Sequence, residues 1–161
     1  MSDGGRNDDR DVRMSQLDIQ RINHLPLQIL ALEKEAVGDG FRFLTRLIDE
    51  WDSGANRFNA PGECLMAAYL SQQLVGIGGI SVDPYTVTSM ARLRRVYVSA
   101  SSRGRHVGRT LVEALVAHAA LRFQNVCLFT DTAEGDAFYL KCGFTRADHD
   151  HATHVMCLSS S

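Results

Sequence analysis

Two spacings organise the apolar positions of this chain, and they predict an alternation of strands and helices. Gln16 to Ile22 reads as a first strand, and Leu25, Ile29, Leu32 and Ala36 then recur at helical spacing before the stop Gly38-Asp39-Gly40. Phe43/Leu44, Leu47/Ile48 and Trp51 form the stripe of a second helix, closed by Ser53-Gly54, and Pro61-Gly62 marks the next turn. Cys64 to Leu70 and Leu74 to Val82 are apolar runs separated by Ser71-Gln72-Gln73, which predicts an antiparallel hairpin. A polar stretch, Asp83 to Ser89, leads into Ala91 to Val98, a further strand that carries Arg92, Arg94 and Arg95. Beyond the Ser-, Gly- and Arg-rich stretch Ser99 to Gly108, Leu111/Val112, Leu115/Val116 and Ala119 give the plainest helix pattern of the chain. Val126 to Thr130 is a compact strand, Glu134 to Lys141 a short helix terminated at Gly143, and His154 to Leu158 a last strand. A crossover helix between the strands at 91–98 and 126–130 implies a mixed α/β sheet with one parallel pair and helices on both faces.

Composition narrows the setting. With 161 residues and 45% hydrophobic content, the chain suits one domain, expected over residues 14–161. Residues 1–13 are polar and almost without apolar side chains, so burial cannot offset their ordering entropy and a flexible leader is expected. A formal charge of -2 argues against a chain held globally to nucleic acid or to an anionic membrane. No apolar run approaches the roughly 20 residues of a membrane span, and the first residues lack a signal-peptide core. Cys64, Cys127, Cys142 and Cys157 are widely spread, which suits reduced thiols in the cytoplasm better than a disulfide framework.

The chemistry concentrates in Ser102-Arg103-Gly104-Arg105-His106-Val107-Gly108-Arg109-Thr110, between a strand and a long helix. Free N–H groups and the helix dipole favour an anion there, and the glycines allow phosphate oxygens to approach the backbone. Composition alone would equally suit a solvated, Arg-rich loop. Gly104 to Thr110 is one residue short of a P-loop and has Arg where its Lys belongs, which argues against a nucleoside triphosphatase. The Arg cluster lacks the interleaved aromatics of a nucleic-acid surface.

Strand LRRVYVSASS, loop and helix RGRHVGRTLVEAL, strand VCLFT and then AFYLKCGF together resemble the GNAT superfamily of N-acetyltransferases, over about residues 60–158. The family's loop consensus maps onto Arg103, His106 and Gly108, with His106 standing where Gly is usual. The resemblance implies a mixed, mostly antiparallel sheet with a splayed central parallel pair. It implies acetyl-CoA as cosubstrate, its pyrophosphate cradled by Arg103, Gly104, Arg105, His106, Val107, Gly108, Arg109 and Thr110. Backbone groups of Val96, Tyr97 and Val98 would lie along the pantetheine and thioester, and Tyr139 would act as the catalytic residue beside the leaving sulfur. Direct transfer to a primary amine of a small-molecule acceptor follows by the same resemblance, with no metal, nucleic-acid or membrane partner, and with room for a homodimer. A non-catalytic acyl-CoA-binding module on the same fold is the alternative.

Many relatives carry Glu where this chain has Arg92. Glu50, Glu63, Asp83 and Asp131 are substitutes by position only, so the general base stays unassigned. Arg92 and Arg94, two residues apart on one strand face, could bind a carboxylate or phosphate of the acceptor or pair at a sheet edge. Cys142, His149, His151, His154 and Cys157 lack the spacing of common zinc sites, and Asp148 to Thr153 reads as an exposed polar loop.

Overall fold

Alternation along the central strands sets the layers. In β2 (Cys64–Leu70), Leu65 and Ala67 face one way and Cys64 and Met66 the other, and all four are buried. Such a strand needs cover on both faces. Leu65 and Ala67 meet Ile29, Leu32 and Ala36 of helix α1 (Ile29–Gly38) and Leu44 and Leu47 of α2 (Phe43–Ser53). Met66, with Ile80 and Leu93, meets Leu111, Val112, Leu115 and Ala119 of α3 (Val107–Ala120). Each leucine so buried contributes roughly 1.5–3 kcal/mol.

The computed structural model describes residues 16–158, so the leader expected over residues 1–13 lies outside the described residues. Seven strands form one sheet in the order β1-β2-β3-β4-β5-β7-β6, with β1 Leu17–Ile22, β3 Gln73–Val82, β4 Met90–Val98, β5 Asn125–Leu128, β6 Thr145–His149 and β7 Ala152–Cys157. Among the described residues, only β4 and β5 pair in parallel. The mixed, mostly antiparallel sheet with helices on both faces is therefore observed. The β2–β3 hairpin turns on Ser71 and Gln72, both at positive φ (51° and 70°), the combination that matches strand twist in a two-residue turn.

Three boundaries differ from expectation. Helix α1 starts at Ile29 and not at Leu25, because Pro26 disfavours helical geometry in the residue before it; Leu25 packs on the same core from outside the helix. Strand β5 stops at Leu128, and the N–H of Thr130 turns to Thr153 Oγ1 at 3.0 Å. The stretch expected as a polar loop instead forms the β6–β7 hairpin around Asp150 and His151. Its polarity suits an edge strand that is paired on one side and exposed along most of its length.

Strand β4 carries two irregularities that shape the molecule. Its parallel pairing with β5 covers only Met90, Ala91 and Arg92, after which the two strands separate. Its pairing with β3 runs from Arg94 opposite Gly79 to Tyr97 opposite Ile77, so Arg95 and Val96 together face Gly78. This is a β-bulge, with Arg95 at φ 61°. The extra residue changes the phase of the strand. Arg95 joins Arg94 on the α2 side, Val96 packs on the α3 core, and Tyr97 returns to the α1 core.

Candidate active site

Where β4 and β5 part, a cleft of about 500 Å³ opens through the sheet. It reaches from Phe43 and Arg46 on α2, past Arg94 and Val96 of β4, to Thr130 and Tyr139. A second concavity of about 290 Å³, at the far edge by Gln16, Asp18 and Gln20, contains none of the residues singled out by the sequence.

Helix α4 (Ala133–Lys141) brings Tyr139 to this cleft. The side chain of Thr132 caps the helix by accepting from the N–H of Gly135 at 3.0 Å, and Glu134 and Asp136 lie in its first turn, where negative charge is favoured. The Tyr139 ring stands edge-on to Phe138 and Phe144, at centroid distances of 4.9 and 5.7 Å. Its hydroxyl has no hydrogen-bond partner among the described residues. Burial pushes the phenol's pKa upward, so the group stays protonated and able to donate at neutral pH.

A polar chain fixes α4 against the end of the sheet. His154, buried on β7, sets Nε2 2.8 Å from Asp136 Oδ1 and Nδ1 2.8 Å from Thr153 Oγ1, which also accepts from the N–H of Thr130. Because a carboxylate only accepts, Nε2 donates to it. Arg146 completes the anchor with two bonds to Asp136, at 3.0 and 2.8 Å. Bonds from Arg146 and then His154 lower the Asp136 pKa to about 2. Sequence reasoning missed this arrangement. Its one signal was the i, i+3 spacing of Asp136 and Tyr139, which puts both on neighbouring positions of one helix face.

At the other end of β4, the expected phosphate loop forms the entrance to α3. The first bond closing the helix runs from Thr110 N to His106 O at 3.0 Å, which leaves the N–H groups of Val107, Gly108 and Arg109 without intrahelical acceptors. No side chain caps them and no acidic residue occupies the first turn. His106 occupies the left-handed region (φ 62°, ψ 12°), where Gly is usual but where His is among the more frequent exceptions. Gly104 also has positive φ (79°), with open space where a Cβ would stand. Arg105 and His106 are exposed.

Other loop residues serve the fold as well as the loop. Arg103 donates to Val98 O at 3.0 Å, contacts Asp39 at 3.4 Å and lies over the Tyr97 ring. Arg109 pairs with Glu113, Val107 buries its side chain, and the Thr110 hydroxyl donates to His106 O. A Cβ on Gly108 would meet Phe138 at 3.2 Å and Val98 at 3.4 Å, so the close packing of α3 against α4 leaves little room for a side chain there. The stem of the loop is tied to α1 through Glu35, which accepts from Tyr97 Oη, Ser99 Oγ and Ala100 N at 2.7, 3.0 and 3.0 Å. Burial opposes ionisation of Glu35, but these bonds outweigh it and hold its pKa below the ordinary value.

The candidate bases separate. Asp83 is buried in an ion pair with Arg92 at 2.8 Å, Glu50 pairs with Arg95 at 3.0 Å, Glu63 accepts from the N–H groups of Ala60 and Val82, and Asp131 is exposed beyond β5. None of the four lines the cleft, whereas Asp150, on the β6–β7 turn, does. Arg92 is likewise occupied. Its second contact, Nη2 to His151 O at 2.6 Å, ties the β3–β4 loop to the β6–β7 turn, and the Tyr85 and His151 rings stack at 3.7 Å above it. Arg94 keeps no such partner. Cys142, His149, His151, His154 and Cys157 do not converge, and no three His, Cys, Asp or Glu among the described residues surround a common point.

Comparison with known proteins gives this architecture, an open parallel pair followed by an uncapped helix N-terminus, its family. The chain belongs to the GNAT acetyltransferases: the family model described as an acetyltransferase (GNAT) domain matches residues 61–146. Among solved structures, a protein from Exiguobacterium sp. 255-15 assigned to the acetyltransferases superposes with a TM-score of 0.80 at 24% identity, over 88% of this chain and 93% of that one. YhbS of Escherichia coli, a GNAT family N-acetyltransferase solved in complex with CoA, gives 0.64 at 16% identity over 89% and 82%. Glucosamine-6-phosphate N-acetyltransferase from Arabidopsis thaliana gives 0.59 at 17% over 85% and 97%. At these identities the likeness concerns the fold. No curated protein sequence matches the chain.

Proposed function

We propose that this protein transfers an acetyl group from acetyl-CoA to a primary amine, with both substrates held in the cleft between β4 and β5. The observation that carries this reading is that one cleft is lined both by β4, beyond its pairing with β5, and by Tyr139. The CoA in the YhbS structure and the amine acceptor named for the Arabidopsis enzyme support it by family. The four cysteines form no disulfide, which suits the cytoplasmic setting that the reading includes.

Bound acetyl-CoA would supply a thioester carbonyl open to attack by an amine. The chain's own residues do the remainder. Backbone amides from Gly104 to Arg109, with the Arg105 side chain, hold the pyrophosphate at the positive end of α3. The edge of β4 that β5 leaves unpaired, at Val96, Tyr97 and Val98, aligns the pantetheine, and the bulge at Arg95 and Val96, which breaks the ladder to β3, offers a backbone N–H to charge on the acetyl oxygen. Tyr139 donates a hydrogen bond to the departing sulfur. Asp150 is the cleft carboxylate available to hold the incoming ammonium or receive its proton. A module that only bound acyl-CoA would have no use for a hydroxyl left without a protein partner.

Titration with acetyl-CoA tests the cosubstrate. At a hundred times the dissociation constant, binding adds about 2.7 kcal/mol of stability, a rise of roughly 5–10 °C in Tm for this size. Saturating acetyl-CoA that gives neither a shift nor calorimetric heat overturns the assignment.

A further inference from the structure

The cleft has an excess of positive charge at its acceptor end. Arg46, Arg92, Arg94 and Arg95 all line it. Two are neutralised, Arg92 by Asp83 and Arg95 by Glu50, although the buried Arg95 Nε still lacks an acceptor. Arg94 and Arg46 have no carboxylate and no hydrogen-bond partner among the described residues, and the one carboxylate of the lining, Asp150, is exposed at the mouth. Arg46 is exposed, but Arg94 is half-buried, and a half-buried guanidinium without a partner is costly to keep. Burial, and after it the neighbouring Arg95, lower the Arg94 pKa, with Glu50 offsetting in part.

The bulge in β4 accounts for the clustering. Without the extra residue, Arg95 would point into the α3 core; with it, Arg94 and Arg95 stand together facing α2, from which Arg46 reaches the same space. From the presence of Arg94 and Arg46 in the same cleft as Tyr139, we infer that the acceptor amine carries an anionic group, a carboxylate or a phosphate, which these two arginines bind. The inference rests on the transferase reading above and names the acceptor's class. Guanidinium suits either group, because its planar fork can give two parallel hydrogen bonds to a pair of oxygens. Asp150 then meets the ammonium of the same molecule, so the lining complements an amine and an anion at once.

Two arms on the full chain test this. In the first, the CoA-saturated protein is titrated calorimetrically with matched pairs: O-phosphoethanolamine against ethanolamine, and β-alanine against its amide. The charged member of at least one pair binds more tightly; its affinity falls tenfold or more in Arg94→Gln and is partly restored in Arg94→Lys. CoA affinity and Tm do not fall in Arg94→Gln, because no protein partner is lost. Equal binding within both pairs, no binding of either charged probe at millimolar concentration, or an unchanged affinity in Arg94→Gln overturns the inference. A lower Tm in Arg94→Gln also counts against it, since that marks a structural arginine. In the second arm, release of CoA thiol from acetyl-CoA is followed with the same four amines. A charged probe that binds through Arg94 without thiol release preserves the anion site and removes the transferase; release with ethanolamine as fast as with O-phosphoethanolamine preserves the transferase and removes the anion site.

Discussion

Tyr139 combines a locked ring with an unused hydroxyl. Phe138, Phe144 and His154 surround the ring, so its position does not depend on the hydroxyl. Moving a whole proton from an unperturbed phenol to a thiolate is uphill by about 2 kcal/mol, from reference pKa values near 10 and 8.5, and the burial that raises the Tyr139 pKa steepens it. In the proposed reaction, Tyr139 would therefore act by hydrogen bonding to sulfur in the transition state. Tyr139→Phe keeps the ring and removes only the donor. Single-turnover thiol release in that variant falls by roughly 10² or more, while Tm and acetyl-CoA affinity change little. A variant as fast as the parent leaves Tyr139 a packing role alone. The cysteines contrast with it: burial pushes the thiols of Cys64 and Cys127 up to about 11 and also raises that of Cys142, which makes them poor nucleophiles.

Two element ends carry the next predictions. The N-terminus of α3 turns through His106 in left-handed geometry, which costs a residue with a Cβ roughly 1–2 kcal/mol, while glycine loses about 0.5–1 kcal/mol in added chain entropy. His106→Gly therefore raises stability by up to about 1 kcal/mol and retains acetyl-CoA binding, because the amides stay in place. A stabilised variant that fails to bind in titration would show that the imidazole itself contacts the ligand. On α4, Asp136 has a folded pKa of about 2, below its unfolded value near 3.9. Its contribution is complete above about pH 4 and is lost as pH falls through 2, since the unfolded chain then binds the proton first. Melting temperatures across pH 5 to 2 fall less steeply in Asp136→Asn than in the parent, and parallel curves would remove Asp136 as the anchor of α4. The stops of α1, α2 and α4 were legible in the sequence as Gly40, Gly54 and Gly143, which all adopt the positive φ that ends a helix. Strand β6 was not, because Thr145–His149 has almost no apolar alternation to reveal it.

At the scale of the whole molecule, the sheet is continuous except where β4 and β5 part, and the candidate chemistry collects at that break. The order of elements other than β6, and the parallel pair, could be read from periodicity and the crossover helix, whereas the composition of the loop at 102–110 suited a solvated loop equally well. The bulge at Arg95, the capture of Arg92 by Asp83, and the line from Asp136 through His154 to Thr130 join residues far apart in the chain and leave no local signature. For that reason Arg92 and Arg94, equivalent by spacing, have different roles: one fastens two loops, the other faces the cleft unpaired. The account as a whole requires that the break in the sheet be where acetyl leaves CoA for an amine. Its most direct test is CoA thiol release from acetyl-CoA across a broad panel of primary amines, with acetylated product confirmed by mass. Release that needs protein, acetyl-CoA and amine together is the predicted result; a protein saturated with acetyl-CoA that releases no thiol with any amine would contradict it.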